Sequence, residues 1–207
     1  MCALVSDYLK SVPAIIPILI SIMRHDASDS AKAANVVIYS LGLSRYMGVA
    51  DRRQLHNLAI GAFFHDLGRA HLPQRILAKT GILSPEEWAI MRRHPSWGAE
   101  ILASAAVAQE VVLAMVAQHH ERLDGSGYPN CLEGDELDRF ARIVAVADVY
   151  DALTADRPYR KGKLPFDSLM ILRQEAASRL GRDMFAGMVH FLADMHGAYA
   201  DFQRGES

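Results

Sequence analysis

Apolar residues recur at helical spacing along nearly the whole chain, and nowhere do they alternate over a useful length. That property confines the chain to an all-α fold. Val36, Val37, Leu41, Leu43 and Met47 mark a helix over 31–47, with Gly48 as its stop. A second helix is predicted over 52–67, ending at Gly68. Ser84-Pro85-Glu86-Glu87 reads as a helix start, with Ser84 as N-cap, proline at the first helical position and Glu87 closing a capping box. This helix carries Trp88, Ile90 and Met91 towards His94-Pro95, and an apolar segment over 98–106 precedes another helix over 110–120. Residues 139–153 read as a long buried helix, and 167–180 and 184–195 complete the pattern. There is no internal repeat and no low-complexity linker. The expected architecture is a single helical unit over 25–207, with 1–24 as an extra leading helix.

At 207 residues, with 51% hydrophobic and 22% charged residues, the chain can bury a sizeable core. A formal net charge of -2 excludes a general polyanion-binding surface, so no bulk nucleic acid is expected. A small phosphate ligand held by a few local arginines stays open. Cys2 and Cys131 make neither a disulfide framework nor a thiolate ligand set, which suits a reducing, cytoplasmic setting. The apolar stretch over 12–23 is too short to span a membrane and is interrupted by Pro13 and Pro17. It has no basic n-region and no small-residue cleavage site, so it does not read as a signal peptide.

The chemistry concentrates in a few side chains. His119 and His120 run directly into Glu121-Arg122-Leu123 and the loop Asp124-Gly125-Ser126-Gly127-Tyr128-Pro129. Imidazole is the commonest metal ligand among side chains. Glycine and proline fix a tight turn that can bring backbone close to a ligand. His65-Asp66 closes the second predicted helix, His94 precedes Pro95, and Asp148 lies among Val144, Val146, Ala147 and Val149. A lone aspartate in such surroundings must be paired or coordinating. Asp151 shares its face. Taken singly, a helix-end histidine or a capping aspartate is ordinary. Taken together, mixed imidazole and carboxylate groups without thiolate suit iron, manganese or zinc in a hydrolytic site.

The runs HDLGR, LPQRILAKTGILSPEEW, RRHPSWGAEIL, HHERLDGSGYP and ARIVAVADVYDALTADRPYR, in this order over roughly 35–161, resemble the HD-GYP family. That family is a branch of the HD-domain phosphohydrolases that cleave cyclic di-GMP. The resemblance implies an all-helical bundle with two or three metal ions in its core, iron or manganese first, zinc or nickel next. It puts His65, Asp66, His94, His119, His120 and Asp148 at metal-ligand positions, with Asp66 as the bridging carboxylate. Arg69 stands where the family has a lysine facing the substrate phosphate, so Asp66 and Arg69 are the expected catalytic pair. Arg157 and Arg160 match positions that contact cyclic di-GMP, and Tyr128 belongs to the substrate-facing loop. The same loop is linked in the family to docking of signalling proteins. Two metals about 3.5–4 Å apart lower the pKa of a bridging water and clamp a phosphodiester for in-line attack. Arginines three residues apart can grip phosphate oxygens together.

One departure stands out. Lys32 occupies the place of the family's first histidine, and an ammonium has no lone pair with which to ligate a metal. Ser28 replaces a glutamate found in some members, and neither His25 nor Asp29 has the spacing to substitute. The resemblance thus implies an intact site of Asp66, His94, His119 and His120 beside a damaged one that leans on His65, Asp66 and Asp148. Asp183-Met184-Phe185 also departs from the family's pattern, with more effect on packing than on chemistry. Three functions follow. The first is a cyclic di-GMP phosphodiesterase giving pGpG or GMP. The second is a degenerate member that binds metal or nucleotide and signals through protein contacts. The third is a phosphohydrolase of another nucleotide.

Overall fold

A computed structural model describes residues 29–104, 109–156 and 161–205. The expected leading helix over 1–24 lies outside the described residues. Among them there is no β-strand, only an isolated bridge between Asp124 and Glu133. The helices are α1 (Asp29–Tyr46), α2 (Arg52–Phe64), α3 (Gln74–Leu77), α4 (Pro85–Met91), α5 (His94–Ser104), α6 (Glu110–Gln118), α7 (Arg139–Thr154), α8 (Pro165–Glu175) and α9 (Arg182–Gly205). No helix among the described residues is long and apolar enough to cross a membrane.

α1 packs on α2, α7 and α9, while α6 is held by α2, α5 and α7. The core between them contains Leu43, Leu58, Met115, Ile143, Met184 and Met188, all essentially inaccessible to water. α7 is buried along most of its length, from Ala141 to Asp151. Its burial is what forces Asp148 and Asp151 to find partners inside the protein.

Local chemistry sets the ends. Asp51 caps α2 by accepting from the Gln54 amide at 2.8 Å. Ser84 and Glu87 form the anticipated capping box at the start of α4. α2 ends earlier than its periodicity predicts, at Phe64, and the chain tightens into a 3-10 turn over Leu67–His71. The cause is a long-range contact. Gly68 lies against α5 so closely that a Cβ there would fall 1.9 Å from the His94 carbonyl oxygen. A continuing α-helix could not make that approach. α8 likewise stops at Glu175 and opens into a π-turn over Ala176–Leu180. The Arg179 carbonyl freed there accepts from the Leu123 amide at 2.9 Å, which ties the glycine loop to the far side of the bundle.

Candidate metal centre

Three imidazoles are presented in the same way. The Nδ1 of His65 donates to Ala62 O at 2.7 Å, that of His94 to Met91 O at 2.9 Å, and that of His119 to Val116 O at 2.8 Å. His65 and His119 directly follow the ends of α2 and α6, and His94 opens α5 three residues after the last residue of α4, so in each case the carbonyl three residues back belongs to a helix end and takes the ring proton. A proton is thereby fixed on each Nδ1, and all three Nε2 atoms face inward.

Asp66 divides the centre in two. Its Oδ1 lies 3.2 Å from His94 Nε2 and 3.9 Å from His119 Nε2. With His120 these groups form a tetrad whose donor atoms all lie within 4.8 Å of one another. Its Oδ2 faces the other way, 2.6 Å from the Lys32 ammonium and 3.4 Å from His65 Nε2. Asp148 Oδ1 completes that second half, 2.8 Å from Lys32 and 3.6 Å from His65. The structure therefore gathers all six residues singled out from the sequence, with Lys32 among them.

The tetrad suits a divalent ion. His94 and His119 point their Nε2 atoms at each other across 3.4 Å, although both rings already give their proton to a backbone carbonyl. Two lone pairs so placed repel unless a proton or a metal ion lies between them. Ligands about 2.1 Å from such an ion stand roughly 3.0–3.4 Å apart, a range that the His94–Asp66 (3.2 Å) and His94–His119 (3.4 Å) pairs meet and the His119–Asp66 pair (3.9 Å) exceeds.

Electrostatics separate the halves further. Burial works against the Lys32 charge, but Asp148 and Asp66 outweigh it and hold the ammonium protonated above the ordinary lysine range. Burial also opposes ionisation of Asp66, yet its hydrogen bonds with His65 and His94 and the charge of Lys32 keep it well below the usual carboxylate value. Asp148 is lowered likewise, against its burial, chiefly by Lys32. His65, buried but bonded to Asp148 and Asp66, is raised to about 9. Burial pushes His119 well down and His120 to about 3. His119 and His120 thus stay neutral, and the Lys32 side holds cations.

Arg69 lies at the edge, its Nη1 3.2 Å from Asp66 Oδ2. Tyr128 stacks on His120 with ring centroids 4.7 Å apart. Arg157 and Arg160 fall outside the described residues.

Some contributors carry no motif. Asn35 donates to the buried Asp151 at 2.6 Å, fixing α1 against α7 one turn from Lys32. Glu121 is fully buried and accepts from the amides of Asn130 (2.7 Å) and Leu132 (3.2 Å). It ties down the loop that carries Tyr128. The available signal was its place as the nearest acceptor to a glycine loop whose amides need partners.

The model of a family described as HD domain matches residues 20–184. The chain is 37% identical over 165 residues to a 3'3'-cGAMP-specific phosphodiesterase of Vibrio cholerae, covering 79% of this chain and 31% of that protein. It is 36% identical over 147 residues to a cyclic di-GMP phosphodiesterase of Pseudomonas aeruginosa, covering 70% of this chain and 35% of that one. An HDG"Y"P protein from Bdellovibrio bacteriovorus shares the fold with a TM-score of 0.79 at 22% identity, over 93% of this chain and 61% of its own. The chain belongs to the HD-domain family, in its HD-GYP branch. It spans about a third of the length of these curated relatives.

Proposed function

We propose that the chain is a metal-dependent phosphodiesterase of a cyclic dinucleotide, cyclic di-GMP in the first place, giving pGpG or GMP. The observation that carries the reading is the convergence of Asp66, His94, His119 and His120 on one point in a bundle core. These four would hold one ion, iron or manganese by the family resemblance. When bound, a divalent ion supplies Lewis acidity towards a water and a phosphodiester oxygen. The chain's own residues do the remaining work. Asp66 carries the negative charge on which the tetrad and Lys32 both draw. Arg69 offers a planar fork to phosphate oxygens at the rim. Tyr128, stacked on His120, walls one side against water. Arg157 and Arg160 are assigned to the remaining phosphate contacts. Relatives that carry cyclic di-GMP or 3'3'-cGAMP in their names support the substrate class. The reading places the protein in the cytoplasm, where such nucleotides act.

A second reading has its own support. Lys32 fills the space between Asp66, Asp148 and His65 with an ammonium, which neutralises charge but activates no water. On this reading the chain binds metal or nucleotide, turns over little, and signals through a protein docked at the glycine loop. Bound metal per chain and cyclic di-GMP turnover, measured for the native protein and for Lys32→His, separate the two. Rapid native turnover establishes the enzyme. A native protein with one metal and negligible turnover, gaining both metal and activity in the variant, establishes the second reading. A native protein that takes up neither metal nor cyclic di-GMP overturns both.

A further inference from the structure

α4 owes its stability to its caps and not to burial. It has a capping box and a proline at its first turn, yet none of its residues is buried. Lys79 and Glu87 brace it from outside at 2.5 Å. On this unburied helix sits Trp88, 43% exposed, and Arg92 follows one turn later. The indole thus keeps part of its apolar face open to a flat ligand.

Arg92 lies between two rings. Its guanidinium carbon is 5.9 Å from the Trp88 centroid and 5.6 Å from that of Tyr128. Tyr128 in turn stacks on His120, at 30° between planes. An imidazole of the tetrad, a phenol, a guanidinium and an indole therefore form one continuous ladder from the candidate metal centre to the surface. Each rung is within cation–π or stacking reach of the next. The α4 end of the ladder is not explained by core packing, since α4 contributes no core residue.

We propose that Trp88 and Arg92 form a nucleobase subsite at the rim of the metal centre. The inference rests on the phosphodiesterase reading and adds what that reading lacks, a place for a base. Every base has a π-face, and an exposed aromatic on which it stacks contributes about 1–3 kcal/mol. Arg92 has donors only, and its guanidinium lies between two rings. A guanidinium so held matches the paired acceptors O6 and N7 of guanine and finds no match in the amino group of adenine. The subsite selects guanine-bearing cyclic dinucleotides over cyclic di-AMP.

The test uses tryptophan emission from the full chain with Trp97→Phe, which leaves Trp88 as the only indole, loaded with manganese. Cyclic di-GMP is expected to quench Trp88 emission, and cyclic di-AMP to bind at least tenfold more weakly. Trp88→Ala, followed by calorimetry, is expected to weaken cyclic di-GMP binding by roughly 5- to 150-fold, the equivalent of that stacking energy. Trp88→Tyr should restore most of the affinity. Because no residue of α4 belongs to the hydrophobic core, the melting curve of Trp88→Ala should stay close to the native one. Native-like affinity in Trp88→Ala overturns the subsite and leaves the metal-centre reading standing. Equal affinity for the two dinucleotides overturns the role of Arg92. A native protein that binds no cyclic dinucleotide overturns the subsite and the phosphodiesterase reading together.

Discussion

Replacing Lys32 by methionine removes one charge from the core while keeping the length of the side chain. The ammonium stands 2.6 Å from Asp66 and 2.8 Å from Asp148, and the side chains of all three are at least four-fifths buried. Removing one partner of a buried ion pair leaves an uncompensated charge and costs about 3–5 kcal/mol. Here two carboxylates lose the same partner, so the upper half of that range is expected. For a chain of this size about 2–4 °C is lost per kcal/mol, which gives a fall of roughly 8–20 °C in Tm. The measurement is calorimetric unfolding in chelator, with urea titration as a check. The second arm adds manganese. Asp66 Oδ2, Asp148 Oδ1 and His65 Nε2 surround the vacated point in the variant, and a cation at one hundred times its Kd would return about 2.7 kcal/mol. Metal should therefore raise the Tm of the variant by more than it raises the native Tm. The reasoning is refuted if Lys32→Met without metal melts within 3 °C of the native protein. It is equally refuted if manganese stabilises both to the same extent.

Two further outcomes are expected. Glu121→Gln leaves one acceptor where the buried carboxylate serves the amides of Asn130 and Leu132, so stability should fall by about 1.5–3 kcal/mol. Limited proteolysis should then cut first within residues 124–131, and native-like resistance there would count against the loop's dependence on Glu121. The metal-free protein should be most stable near pH 6.5. His65, raised to about 9, keeps a proton that the unfolded chain releases, so its contribution is full below pH 6.5 and is lost as pH climbs towards 9. His120, lowered to about 3, refuses a proton that the unfolded chain accepts, so stability falls as pH drops below 6.5. The alkaline limb has a slope of about 1.4 kcal/mol per pH unit and the acid limb, where His119 is lowered along with His120, up to about twice that; urea midpoints that change in one direction only between pH 4 and 9 would contradict the assignment.

The helices are legible in the sequence because their information is local. Period 3.6 marks α1, α6 and α7, and Ser84 with Glu87 marks the start of α4 from residue types alone. The end of α2 falls short of its periodicity because Gly68 answers to His94 and Gly98, well ahead in the chain, and no periodicity reports such a contact. The π-turn after α8 has no local signal for the same reason, since the amide that uses it belongs to Leu123. In the site, residue types with costly burial stand out, and the fold brings His65, Asp66, His94, His119, His120 and Asp148 together. The partition is not readable from residue types. Which oxygen of Asp66 faces which neighbour depends on three helix ends meeting at once. Arg92 and Trp88 give no sequence signal, because an exposed arginine and tryptophan acquire meaning only from the ring beside them.

Asp66 has one formal charge and two audiences. Any ion that settles among the three imidazoles draws electron density from the carboxylate that Lys32 also needs, and the competition is mutual. By linkage, whatever factor the ammonium subtracts from metal affinity, the metal subtracts from the affinity of Lys32 for its proton. Loading and deprotonation are then two readings of one equilibrium, and a shift in either can be followed from the other side of a single side chain.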